Sequence, residues 1–177
     1  PERFAAVAAE IRSSGIPLQL RSEWRPGQPI APGIFLLDST GELAALYELA
    51  TAAFIGGTLV PTGGHNILEP AQFGCPTVIG PSMENFKQIA REFLNAPGAG
   101  PISAAERITS GAVIQVQDAA GLATVLGYLL RNPDYARHAG RAARDVAARQ
   151  SSGLVPLLAE LERRLGVRSA ALAPAAV

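Results

Sequence analysis

Two spacings of apolar residues take turns along this 177-residue chain. Phe4, Val7, Ala8 and Ile11 recur at helical spacing, which predicts a helix over residues 1–13, ended by Gly15. A short strand at Leu18–Leu20 follows, then a loop over 23–33 with three prolines and two glycines, then a buried strand over 34–37. Leu43, Leu46, Tyr47 and Ala50 mark one face of the next helix. Strands are expected at 52–55, 76–79 and 112–116, and helices from Asn66, from about Phe86, from Asp118 and from Pro133. Residues 95–111 read as a long loop of small residues. Ser152 is expected to cap a last helix through Leu154, Leu158, Leu161 and Leu165, ahead of a frayed, alanine-rich tail.

Short β-branched strands alternating with amphipathic helices predict an α/β fold. The form expected is a Rossmann-like, open parallel sheet with helices on both faces. In such sheets ligands bind beyond the carboxyl ends of the strands, where loops run into helices. Two stretches lie there. One is residues 38–42, Asp-Ser-Thr-Gly-Glu; the other is residues 56–69, Gly-Gly-Thr-Leu-Val-Pro-Thr-Gly-Gly-His-Asn-Ile-Leu-Glu. Each sets a short polar residue three positions before a glutamate: Ser39 before Glu42, and Asn66 before Glu69.

That spacing suits a helix cap alone. Capping, however, needs no glycine pairs upstream. Gly56-Gly57 and Gly63-Gly64 strip side chains where a ligand must approach the backbone or where φ must be positive. Amides at a helix start favour a phosphate. An ionised glutamate one turn further on offers only acceptors, which suits a ribose diol. The combination points to a nucleotide with few phosphates. A Walker Gly-Lys-Ser/Thr and a Gly-x-Gly-x-x-Gly pattern are both missing, against a nucleoside triphosphatase or a dinucleotide enzyme. His65 is read either as a structural or phosphate-facing group or as a general base. Met83-Glu84-Asn85-Phe86 opens a helix and either caps it or faces a donor. Trp24 and Arg25 either stack on a base or pack on their own loop.

Composition narrows the classes. Lys plus Arg equals Asp plus Glu at 15 each, so no general polyanion surface is expected and no nucleic acid is called for. Apolar residues make up 48 %, as in a globular chain. No apolar run is long enough to span a bilayer, and no signal peptide is visible. A single cysteine, Cys75, excludes an internal disulfide and reads as a core thiol in a reducing compartment. One cysteine and two distant histidines give no metal-ligand cluster, and no cofactor is expected. The chain opens on Pro1-Glu2 without Met, which is read as a fragment whose first strand was lost.

The string Asp-Ser-Thr-Gly-Glu-Leu at 38–43, Phe-Ile-Gly-Gly at 54–57, Gly-Gly-His-Asn-Ile-Leu-Glu-Pro at 63–70 and Gly-Pro-Ser-Met-Glu-Asn-Phe at 80–86 resembles the C-terminal half of 3-deoxy-D-manno-octulosonic acid (Kdo) transferases. The resemblance runs to about Leu165 and is densest over 38–86. It implies one half of a two-domain GT-B glycosyltransferase of lipopolysaccharide synthesis. Residues 1–166 would form the domain that binds CMP-Kdo, and 167–177 a disordered tail. The lipid A precursor site, the catalytic base and the membrane anchor would belong to an absent N-terminal domain. The full-length protein would then sit at the cytoplasmic face of the bacterial inner membrane, with this fragment soluble and inactive alone. Thr40, Gly41 and Glu42, with Asn66, Ile67, Leu68 and Glu69, match the CMP-contacting stretches of the family, and a third such stretch would precede Pro1. Gly56, Gly57, Gly63, Gly64, His65 and Asn85 are the candidate phosphate or donor loop. Thr62 stands where many members have Arg, Ser82 where His is frequent, and Ile67 where Pro is common. The alternatives are a GT-B enzyme using a UDP-sugar, and a non-catalytic nucleotide-binding module.

Overall fold

Runs of two or three strand residues suffice to build two sheets. The computed structural model describes residues 3–102, 108–152 and residue 164. These fall into two units, Pro1–Leu49 and Ala50–Val177.

In the first unit, α1 (Phe4–Ser13) buries Ala8. It ends where Gly15, at φ +75°, donates its amide to Arg12 O, the left-handed terminus expected of glycine. The strands β1 (Leu18–Leu20) and β2 (Ile34–Leu36) pair in parallel, Leu18 beside Ile34 and Leu20 beside Leu36. The proline-rich connection between them is organised by Trp24. Its indole Nε1 donates to Gln28 O at 2.9 Å, its ring meets Phe35 edge-on, and the Arg21 guanidinium lies 5.6 Å from the ring centre. Arg25 donates to the carbonyls of Ser22 and Trp24. Trp24 and Arg25 thus pack on their own loop. The helix α2 (Leu43–Leu49) completes the unit.

The second unit holds a four-stranded sheet in the order β3 (Ala53–Phe54), β4 (Thr77–Ile79), β6 (Ile114–Gln115), β5 (Thr109–Ser110). The first three are parallel; β5 runs antiparallel to β6. So the segment expected as pure loop over 95–111 supplies an edge strand, and the sheet is mixed. Tyr135 pins that segment: its hydroxyl donates to Gly100 O at 2.6 Å, and Ser110 Oγ lies 2.9 Å away. Burial raises the Tyr135 pKa above its ordinary value, partly offset by the Ser110 bond.

Successive strand residues face opposite sides of a sheet. Val78 and Ile114 accordingly join one core cluster with Val125 and Leu129 of α5 (Ala119–Arg131). Ile79 and Val113 join another with Ile67, Phe93, Val146 and Ala147. Helices therefore cover both faces, as parallel strands require. The second cluster is filled from α3 (Leu68–Gln72), α4 (Lys87–Asn95) and α6 (Pro133–Ser152). Asp118 caps α5 as expected, its Oδ1 accepting from Gly121 N at 2.8 Å. Ser152 is the last residue of α6 rather than the cap of a further helix; the helix expected from Leu154 and the tail lie outside the described residues.

Packing of α3 against α6 leaves no room at Gly140, where an added Cβ would collide with Gly74 O. Gly140→Ala is expected to destabilise the fold by about 1–3 kcal/mol, the usual scale of overpacking, read as a lower urea midpoint. Burial without a charged partner raises the Cys75 pKa to about 11, the state of an inert core thiol.

Candidate functional site

Parallel pairing brings the carboxyl ends of β1 and β2 to one edge of the first unit. Arg21 follows β1, and residues 38–42 follow β2. Arg21 reaches across to Glu42, its Nε and Nη2 donating to Oε1 at 3.0 and 2.7 Å, while Ser39 Oγ donates to Oε2. Asp38 is held by Ser22, whose amide and hydroxyl donate to the two carboxylate oxygens at 2.8 and 2.6 Å. Thr40 and Gly41, at φ +86°, form the exposed turn between these clasps. Ser39 and Glu42 meet through their side chains; the reciprocal backbone bonds of a capping box are not what joins them.

These bonds favour the charged carboxyls. Asp38 is held below its ordinary 3.8, chiefly by the Ser22 hydroxyl and amide. Glu42 is held below 4.5 by Ser39, then Arg21. In the second unit Glu84 is lowered by the Ser82 hydroxyl. A carboxyl whose pKa is depressed by folding stabilises the fold above its unfolded pKa and loses that contribution as pH falls through the folded value. Stability is therefore expected to decline as pH falls below about 4. In thermal melts across pH 2–6, the combined variant Asp38→Asn, Glu42→Gln, Glu84→Gln should show a shallower decline.

In the second unit the carboxyl ends of β3, β4 and β6 share an edge. The chain leaves β3 through Ile55 into the glycine loop. Thr58, fully buried, ties the loop to the sheet: its Oγ1 donates to Ile55 O at 2.6 Å and accepts from Gly80 N at 2.8 Å. Thr62 Oγ1 donates to Gly57 O at 2.8 Å and closes the loop on itself.

Gly63 and Gly64 have φ of +84° and +69° and are buried. An added Cβ would strike the Asn85 amide at Gly63, and Met83 Sδ at Gly64 from 2.7 Å. These glycines are thus required by the turn and by Met83–Asn85 packing onto it. The Asn85 backbone N–H donates to Gly63 O at 3.2 Å. Ser82 Oγ accepts from Gly63 N at 3.1 Å and donates to Glu84 Oε2 at 2.7 Å. Sequence reasoning assigned Ser82 nothing, and a lone serine 19 residues from its partner carries no local signal. Its bond also means that the Gly63 amide is already occupied.

Gly56 and His65 are exposed. Among the described residues no acceptor is paired with either amide. The His65 ring lies beside Gly57. Asn66 Oδ1 accepts from Leu68 N at 3.0 Å. The buried Ile67 is already αR ahead of α3, so Asn66 serves a first-turn amide from just outside the helix, the capping role expected of it. Glu69 stands exposed in the first turn, with Asn66 Nδ2 3.4 Å from Oε1. Because α3 has five residues and α2 seven, positive potential here comes from individual amides rather than from a long helix dipole.

His138 is exposed on α6, its Nδ1 2.8 Å from Asp134 O. Among the described residues no three His, Cys, Asp or Glu cluster as metal ligands would. No described helix is long and apolar enough to cross a membrane.

Similarity to known proteins bears on the family and the fold. The crystal structure of the C-terminal CMP-Kdo binding domain of WaaA from Acinetobacter baumannii superposes with a TM-score of 0.68 at 34 % sequence identity, covering 82 % of this chain and 68 % of that one. The chain belongs to the 3-deoxy-D-manno-octulosonic acid transferase family. The Kdo transferase of Bordetella pertussis is 35 % identical over 101 residues, 56 % of this chain and 23 % of that protein. The Arabidopsis thaliana protein named "probable 3-deoxy-D-manno-octulosonic acid transferase, mitochondrial" is 30 % identical over 156 residues, 88 % of this chain and 32 % of that protein. The chain thus spans about a quarter to a third of the length of these Kdo transferases. No protein-family model matches it. The fold expected from the sequence, the α/β half of a GT-B transferase, is the fold found, with the mixed sheet as its refinement.

Proposed function

We propose that this chain is the donor-binding part of a glycosyltransferase that moves Kdo from CMP-Kdo to a lipid A precursor in lipopolysaccharide biosynthesis. The observation that carries this reading is the 34 % identity, over 82 % of the chain, to a domain whose description is CMP-Kdo binding. The exposed Gly56 and His65 amides are donors for the CMP phosphate, Gly57, Gly63 and Gly64 shape the loop, and Asn85 packs on it from the donor side. Asn66, Ile67 and Leu68 form the helix start, and Glu69 accepts from the ribose hydroxyls. Thr40, Gly41 and Glu42 match a nucleotide-contacting stretch of the family, and within their own unit Glu42 is held in shape by Arg21 and Ser39.

In the reaction an acceptor hydroxyl oxygen bonds to the anomeric carbon of Kdo while that carbon's bond to the CMP phosphate oxygen breaks. The acceptor proton goes to a base outside this chain, and CMP leaves with the bond's electrons. Loop amides stabilise the charge growing on the phosphate. No catalytic residue of the reaction is assigned to this chain, and it is expected to be inactive alone. Membrane contact at the cytoplasmic face of the inner membrane would come from other parts of a longer protein.

Competition calorimetry tests the reading. CMP should bind, and UMP should displace it weakly. Equal affinity for UMP would favour a UDP-sugar enzyme. Nucleotide binding with no sugar transfer, once a partner domain is restored, would favour a binding module.

A further inference from the structure

A cavity of about 190 Å³ opens where the turn after β4, the helix α4 and the carboxyl end of β6 meet. Pro81, Met83, Ala90 and Leu94 give it apolar walls; Lys87, Arg91, Glu84 and Gln115 give it its polar atoms. Lys87 and Arg91 stand one turn apart on the same helix. Neither has a hydrogen bond or ion pair among the described residues. Glu84 is the one acid in the lining, and its carboxylate already accepts from Ser82 Oγ at 2.7 Å. Gln115 Nε2 donates to Gly80 O at 3.3 Å, which leaves its amide oxygen and second N–H available. Lys87 is close enough to Glu84 to help hold that carboxyl charged, so the cavity is cationic by one charge and Arg91 is the cation with no acid set against it among the described residues.

Its position adds a second constraint. The cavity lies at the same edge of the sheet as the glycine loop, the edge at which such sheets bind ligands. Met83, 5 % exposed, belongs to both places: it lines the cavity, and its sulfur packs where Gly64 lacks a side chain. A group seated in the cavity is thus one residue removed from the turn proposed to meet the phosphate.

We propose that this cavity holds the carboxylate-bearing sugar of the donor, with Arg91 and Lys87 receiving the carboxylate and Met83, Ala90 and Leu94 packing on the carbon chain. The proposal rests on the donor reading above, in that the sugar of that donor is an octulosonic acid. An arginine fork suits a carboxylate because two parallel N–H groups match its two oxygens. The cavity would then distinguish an acid sugar from a neutral one, while the glycine loop and Glu69 read the nucleotide.

The test compares CMP, CMP-Kdo and free Kdo on the full chain. Met83 is the single methionine, so its methyl NMR signal reports on the cavity. CMP-Kdo should bind about tenfold or more tightly than CMP, the scale of one charged hydrogen bond. Arg91→Gln should erase that preference with CMP affinity unchanged, and Arg91→Lys should restore part of it. Free Kdo should shift the Met83 methyl in the wild type and should need about tenfold more ligand in Arg91→Gln. An Arg91→Gln variant that keeps the preference for CMP-Kdo, or a methyl signal that free Kdo does not move, overturns the proposal. Failure of CMP to bind the wild type would instead overturn the nucleotide reading, and the free-acid titration would still decide the cavity.

Discussion

Glu69→Ala will lower CMP affinity by about 1–3 kcal/mol, roughly five- to 150-fold. Glu69 is exposed in the first turn of α3, and among the described residues the one hydrogen-bonding group at its carboxylate is Asn66 Nδ2, at a long 3.4 Å from Oε1. Its other lone pairs are available to a pair of vicinal hydroxyls, for which a carboxylate is a two-oxygen acceptor. Removing an exposed carboxylate leaves the core intact, so the loss should be in binding and not in folding. Glu69→Gln keeps one carbonyl acceptor and should lose less. Isothermal titration on variants with unchanged circular dichroism reads both. Unaltered CMP affinity in Glu69→Ala would remove the ribose role.

Phe93→Ala will cost about 3–5 kcal/mol of stability, the range for emptying a buried aromatic site. Phe93 is fully buried and among the largest side chains so placed. It lies in the cluster with Ile67, Ile79 and Val113, and its carbonyl accepts from Ala112 N at 2.8 Å. The residue thus joins α4 to the chain entering β6, and its cluster includes Ile67 at the start of α3. A cavity there should lower the urea midpoint strongly and loosen the loop ahead of α3. Chemical denaturation gives the first effect, and amide exchange at residues 63–68 the second.

How far the sequence discloses this molecule depends on how local each cause is. The strands β1, β2 and β4 stand out because their short apolar runs are flanked by prolines, glycines or turn residues. Asp118 and Gly15 show themselves because caps act within a few residues. The strand β5 has no such mark. Thr109 and Ser110 carry no apolar periodicity, and they become a strand only because the segment returns beside β6 and is tied there by Tyr135. The division of strands between a two-stranded and a four-stranded sheet is equally invisible, since pairing choice is a long-range outcome.

In the candidate site, the glycine pairs and the Asn-x-x-Glu spacing mark the place, because they are contiguous. The groups that hold it do not. Arg21 lies 21 residues from Glu42, and Ser82 lies 19 from Gly63. Parallel strand ends bring each pair together, so no window of sequence contains them. Asn66 is the local case: its cap chemistry is legible because its Oδ1 meets Leu68 N two residues on.

A crystal of this chain soaked with CMP tests the account most directly. Density should place the phosphate on the exposed amides of Gly56 and His65 and the ribose hydroxyls on the carboxylate of Glu69. A cytidylate ordered anywhere else on the chain, with that loop and glutamate left to solvent, would contradict it.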